Sequence, residues 1–176
     1  MNKDELKKFL LDIFGKLDDK QLLALTIYGE ARGESRSGKI AVGSVILERV
    51  EHRGWDGDTI HEVCLMPYQF SCYLPADPNF PALKLLAQEW EEQYALSSTL
   101  RECYAVASGL IEGAIAPIAE IVSHSCCQYV TMAWRRQLDA RAVNEKDPAE
   151  KAALDKKRWW KNMELCAVVG HHEFYA

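Results

Sequence analysis

Apolar positions recur at helical spacing through most of the chain. Leu6, Phe9, Leu10, Ile13 and Phe14 share one helical face, and Gly15 is placed to end that helix. Asp18 or Asp19 can cap a second helix carrying Leu22, Leu23, Leu25, Thr26 and Ile27, which should stop near Gly29. A polar turn, Ala31 to Ser37, follows. Ser37 is read as the cap of a third helix, Gly38 to about Glu51, apolar on most sides and so expected in the middle of a core. Thr59 and Glu62 have capping-box spacing and open a short helix that Pro67 ends.

Tyr68 to Phe80, with Pro75 and Pro78, reads as a loop. Pro81 suits the first turn of a helix running to about Leu96, and Thr99 with Glu102 opens another through Leu110. Gly113 to Val122 is apolar with a proline and reads as extended or turning. Asp147, Pro148 and Glu150 mark one more helix start, and Cys166 to Tyr175 a short strand or docked coil. The pattern predicts a mostly α fold with a few short extended segments around one core.

Composition narrows the class. The chain has 176 residues, 48% hydrophobic and 27% charged, which fits one globular domain large enough to fold without metal or disulfide. Six cysteines are therefore expected as reduced, structural thiols. A net charge of −5 argues against nucleic acid as a partner. The charge is uneven: Arg135 to Lys161 holds nine Lys/Arg against five Asp/Glu, a solvated helix face or a positive rim beside a polyanion. No stretch is long and apolar enough for a membrane span, and the first residues lack the apolar run of a secretory signal. The expectation is a monomer made in the cytoplasm.

The chemistry concentrates at Ile27-Tyr28-Gly29-Glu30-Ala31-Arg32-Gly33-Glu34. Glu30 falls where an apolar helix gives way to a turn. A carboxyl there can have one side against the core and the other open to a substrate, as a general acid requires. The plainer reading is a surface ion pair between Glu30 and Arg32.

The run Leu23 to Glu34 resembles the signature opening of SleB-type cell-wall hydrolases. Gly38 to Val50 resembles the family's next block, with Glu48 in place of the usual Asn. Gln69-Phe70-Ser71-Cys72 matches a third element. Ser123-His124, Tyr129-Val130 with Trp134, and Val169 to Tyr175 resemble the last two. The blocks stand in family order over about 150 residues of this sequence. The resemblance implies a lysozyme-like fold, similar to lytic transglycosylases, and a single catalytic domain over 1–176. Within it, 1–16 would be an N-terminal helix, 17–135 and 162–176 the family-like core, and about 144–158 an insertion. It implies cleavage of the bond between N-acetylmuramic acid and N-acetylglucosamine in peptidoglycan glycan strands, with Glu30 as the acid, no cofactor and no metal. The family includes spore-cortex-lytic enzymes and phage lysins, and a phage endolysin or related lysis enzyme is the expectation here, reaching the cell wall after release by a lysis system or as a virion component.

Glu34 is the nearest candidate for a second carboxylate. Without one facing the groove, a transglycosylase route follows, in which the muramyl 6-hydroxyl attacks C1. Tyr28, Gln69, Phe70, Ser71, His124 and Tyr129 are candidate substrate contacts, although Phe70 and Tyr28 could equally be core. Trp159 and Trp160 could form a sugar platform or pack a helix. Two departures fall on the far wall of the groove: His124-Ser125-Cys126 lacks an aromatic and a second histidine, and Ala133 replaces a proline. Two rival readings stand beside this one. The first is a zinc amidase using His124, Cys126, Cys127, Cys166, His171 and His172, whose spacings fit no standard ligand motif. The second is a wall-binding or virion protein without activity.

Overall fold

The structure is a computed structural model describing residues 1–52 and 57–176. The first helix, α1 (Lys3–Phe14), is capped by Asn2 and buries Leu6, Leu10 and Phe14. The second, α2 (Asp19–Ala31), is capped by Asp18 and buries every residue from Leu22 to Ile27. The third, α3 (Arg36–Glu51), starts two residues earlier than expected. The hydroxyl of Ser35, not of Ser37, accepts from the Gly38 N–H, so Arg36 and Ser37 are already helical. Thr59 caps the short α4 (Ile60–Cys64) as its spacing predicts.

The expected loop after Pro67 contains one 3-10 turn, Ser71–Tyr73. The helix expected from Pro81 to Leu96 is two, α5 (Phe80–Gln88) and α6 (Trp90–Leu96), broken at Glu89. Beyond the break Trp90 and Tyr94 stand against Tyr104, at centroid separations of 5.8 and 5.4 Å. Tyr104 belongs to α7 (Ser98–Ile111), which is capped by Ser97 rather than Thr99. Glu102, expected to complete a box with Thr99, instead pairs with the buried Lys39 at 3.1 Å.

Helices α2, α3 and α7 pack around the main core, with Gly43 of α3 admitting Leu110 of α7 and Ile27 of α2. The apolar stretch after Gly113 holds α8 (Ala119–Ser123). Then come β1 (Gln128–Thr131), α9 (Met132–Asn144) and α10 (Pro148–Lys157), the last capped by Asp147. Residues 144–158, expected as an insertion, are the end of α9, a turn and α10. The tail forms two strands, β2 (Leu165–Val169) and β3 (His172–Tyr175), in an antiparallel sheet of order β1-β3-β2. A second, smaller core of Val130, Leu138, Ala142, Leu154, Trp160 and Tyr175 joins this sheet to α9 and α10. The fold is mostly helical with one small sheet. All six cysteines are free thiols, five of them buried. Among the described residues no helix is long and apolar enough to cross a membrane.

Candidate active site

Glu30 sits in the last turn of α2, where the helix leaves the core. Its position depends on Gly29. A methyl group there would meet Cys72 Sγ at 2.7 Å and Leu83 at 3.1 Å. Without one, the Ser71–Tyr73 turn lies directly on the end of α2. That turn brings the Cys72 N–H to 3.5 Å from Glu30 Oε1, a long and weak contact. From the opposite side the Tyr129 hydroxyl donates to Glu30 Oε2 at 3.0 Å. Tyr129 lies in β1, opposite Phe174 of β3, with its ring tilted on Phe174 and edge-on to His172. Burial, reinforced by the neighbouring Glu30, pushes the Tyr129 phenol well above its ordinary pKa. Burial thus favours the neutral phenol that donates to Glu30. The Cys72 thiol is pushed up in the same way, by burial first and by Glu30 second, so it is no nucleophile.

Glu30 opens onto a groove of about 640 Å3, within the range of ligand sites. Gln69, Ser71 and Tyr129, three of the candidate substrate contacts, line it together with Arg49 and Trp134, which sequence reasoning did not single out for the groove, and Trp159, one of the two indoles read as a sugar platform or as helix packing; the other, Trp160, is buried. Arg49 is buried. Its Nε donates to the Cys127 carbonyl at 2.7 Å and its guanidinium lies 5.2 Å from the centre of the Phe70 ring. It thus ties α3 both to the loop carrying Gln69 and Ser71 and to the approach to β1. Arg49 stands inside the Gly38 to Val50 block, the one sequence signal that could have marked it.

Four candidates stand elsewhere. Phe70 points into the core, 2% exposed, between its groove-lining neighbours Gln69 and Ser71. Tyr28 is half-buried beneath the Arg32 guanidinium and is not part of the groove lining. Arg32 donates to Asn79 at 2.6 Å, so the simple Glu30–Arg32 surface pair is not the arrangement adopted. His124 is exposed at the end of α8, its Nδ1 within 2.9 Å of the Glu120 carbonyl, and is also outside the groove lining. Glu34 faces the β2–β3 turn. Its Oε2 accepts from the His171 N–H at 3.1 Å and its Oε1 lies 2.9 Å from His171 Nδ1. Gly170, at φ +60°, makes room for that carboxylate. Burial pushes the Glu34 carboxyl up, but the hydrogen bonds from His171 outweigh it and hold the group below the ordinary carboxylate range. Among the described residues lining the groove, Glu30 is the only acid. Among the described residues, too, no three His, Cys, Asp or Glu side chains converge as a metal set, including the donors of the zinc reading.

The chain's likenesses to known proteins meet on one family. A family described as Cell Wall Hydrolase matches residues 33–146, a span that begins just after Glu30. A spore cortex-lytic enzyme from Oceanobacillus iheyensis is 43% identical over 54 residues, which are 31% of this chain and 19% of that protein. The match thus spans under a fifth of that relative's length. The crystal structure of the catalytic domain of the Bacillus cereus SleB protein superposes with a TM-score of 0.50 at 21% identity, over 90% of this chain and 89% of that one. The last likeness carries the lysozyme-like fold.

Proposed function

Because the chain belongs to the SleB-type cell wall hydrolase family, we propose that it is a peptidoglycan-degrading enzyme that cleaves the β-1,4 bond between N-acetylmuramic acid and N-acetylglucosamine, with Glu30 as proton donor. The observation that carries this reading is the setting of Glu30. Its carboxyl stands between the end of a buried helix and an open groove, and Tyr129 holds one of its oxygens at 3.0 Å.

That hydrogen bond fixes the carboxyl's rotation and occupies Oε2. Oε1, whose backbone contact is the long one from the Cys72 N–H, is the oxygen we assign to deliver the proton. In the first step Glu30 protonates the glycosidic oxygen as the C1–O bond breaks, releasing the N-acetylglucosamine end with a free 4-hydroxyl. A two-carboxylate mechanism needs its second acid about 5 to 10 Å from the first, on the substrate. Glu34 is engaged by His171 instead. This favours the transglycosylase route. The 6-hydroxyl of the muramyl residue attacks its own C1, the Glu30 carboxylate takes the hydroxyl proton, and a 1,6-anhydro ring closes with Glu30 again protonated. Gln69 and Ser71 both line the groove, Ser71 on the turn that packs against Gly29, and are the side chains assigned to the acetamido groups in this reading.

The test is digestion of purified peptidoglycan by wild type and by Glu30→Gln, with mass spectrometry of the products. Anhydro-muramyl ends from the wild type, and a loss of at least about 100-fold in rate for the variant, are expected. Reducing muramyl ends would replace the transglycosylase route with hydrolysis. Free peptides as products, or a Glu30→Gln variant that still cleaves, would overturn the assignment.

A further inference from the structure

The groove does not end at Glu30. Its lining runs on to Trp134 and Trp159, two indoles supplied by the part of the chain with the strongest positive charge. Trp134 stands in the first turn of α9, whose start is fixed by the Thr131 hydroxyl accepting from the Trp134 N–H. It is 42% exposed, and it shares the groove lining with Trp159, so the two indoles open onto the same space. Trp159 begins the 3-10 turn Trp159–Asn162 that follows α10.

Both rings are held by the same buried neighbour. Trp160 packs edge-to-face on Trp134 at 5.5 Å and on Trp159 at 5.6 Å, and Trp159 meets Tyr175 of β3 at 5.5 Å. The backbone behind them is braced as well. Arg135 pairs with Glu173 at 2.6 Å, tying α9 to β3, and Arg158 pairs with Asp139 at 2.7 Å, tying the end of α10 to α9. Two partly open aromatic side chains, positioned by a third and by two ion pairs, form a preorganised wall rather than a mobile apolar surface.

We propose that Trp134 and Trp159 form a sugar-stacking subsite, which holds a ring of a carboxylate-bearing glycan strand along the same groove as Glu30. This rests on the glycan-cleaving reading above and extends it to substrate recognition. Two observations choose the occupant. The wall is continuous with the groove that holds the proton donor, so a linear strand lying on one reaches the other. The stretch Arg135 to Lys161, which follows Trp134 and contains Trp159, holds nine Lys/Arg against five Asp/Glu in a chain of net charge −5; this excess lies behind the wall rather than in the groove lining, and its field suits the lactyl carboxylates of muramyl residues.

The experiment measures binding apart from cleavage. The full chain carrying Glu30→Gln is titrated calorimetrically with soluble glycan strands of alternating N-acetylglucosamine and N-acetylmuramic acid, freed of stem peptides. Adding Trp134→Ala is expected to weaken Kd by roughly tenfold, and Trp159→Ala similarly, while Trp159→Phe stays within about threefold of the parent. Trp159 packs on Trp160 and Tyr175, so its alanine variant could unfold. Trp134→Ala, checked by thermal melting, decides in that case. A folded Trp134→Ala that binds as tightly as its parent overturns the subsite and leaves the role of Glu30 untouched. A parent that does not bind the strands at all overturns the glycan reading and the subsite together.

Discussion

The two sides of the groove are built differently. The side that carries Glu30 is the end of a helix sunk in a large core, where Leu22, Leu23, Leu25 and Ile27 are wholly buried. The side that carries Trp134 and Trp159 rests on β1, β3 and two cation-rich helices, whose shared core has six buried residues, and Tyr129 beside it reaches back to the main core. The first side fixes one carboxyl against a deep apolar base. The second offers rings and charge on a thinner support. A site that must hold its acid still while accepting a long polymer benefits from this division, since the acid needs preorganisation and the wall needs breadth.

The comparison breaks most directly at the cores. Leu25→Ala empties space behind the acid-bearing helix and is expected to cost about 2–5 kcal/mol, read as a loss of Tm and of denaturant midpoint. Leu154→Ala removes the same atoms from the smaller core, where Leu154 is 6% exposed and its neighbours can relax toward solvent. Its cost should lie at the low end, about 2 kcal/mol. The kinetic signatures should divide too. Leu154→Ala should raise KM on long strands, because it loosens the seat of Trp160, and leave kcat nearly unchanged. Equal costs and equal KM effects for the two variants would show that the groove's sides are one unit.

The next effect lies where the sides meet. Tyr129→Phe deletes the hydroxyl that crosses from the sheet to Glu30 and leaves Oε2 without that donor. A hydrogen bond to a charged group contributes about 1.5–3 kcal/mol, so kcat should fall by roughly tenfold or more while strand binding to the groove persists. An unchanged kcat would mean that the helix end alone orients the acid.

The difference between the sides also explains what could be read from the chain. The helical side was legible because burial writes itself into spacing. The apolar run from Leu22 to Ile27, its Asp18 cap and the junction at Glu30 can all be found without coordinates. Errors there are small shifts of register, such as Ser35 capping where Ser37 was expected, because neighbouring hydroxyls compete for one N–H. The other side was less legible. Helix α9 buries only Leu138 and Ala142, too sparse for a periodic signal, and β1 is four residues long. Tyr129 could be placed in the groove only through resemblance. Its bond to Glu30 spans 99 residues, a separation no local pattern encodes. Phe70 shows the converse limit: a residue between two groove-lining neighbours faces the core because the turn alternates its side chains. His124 had the right chemistry for a substrate contact, but α8 points it to solvent.

The smallest expected effect concerns the clamp between the sides, and it carries a definite sign. Glu34, just beyond the acid-bearing helix, is bound by the ring and backbone of His171 in the β2–β3 turn. Its carboxyl is held below the ordinary value of 4.5 in the folded protein. The unfolded chain therefore takes up the proton first as pH falls. The clamp's contribution is complete above the ordinary carboxylate pKa and is lost as pH drops through the lower, native one. Glu34→Gln keeps the shape and removes the charge, so it should lower stability by about 1–2 kcal/mol near pH 6. The gap in Tm between wild type and variant should then narrow steadily below about pH 4. Because Glu34 is engaged by His171 and lies outside the groove lining, kcat for the variant should stay close to that of the wild type. A gap that does not change with pH would remove the charge from the clamp. A collapse of kcat without loss of stability would instead bring Glu34 into the chemistry as the second carboxylate, and the two sides of the groove would then share the reaction rather than divide it.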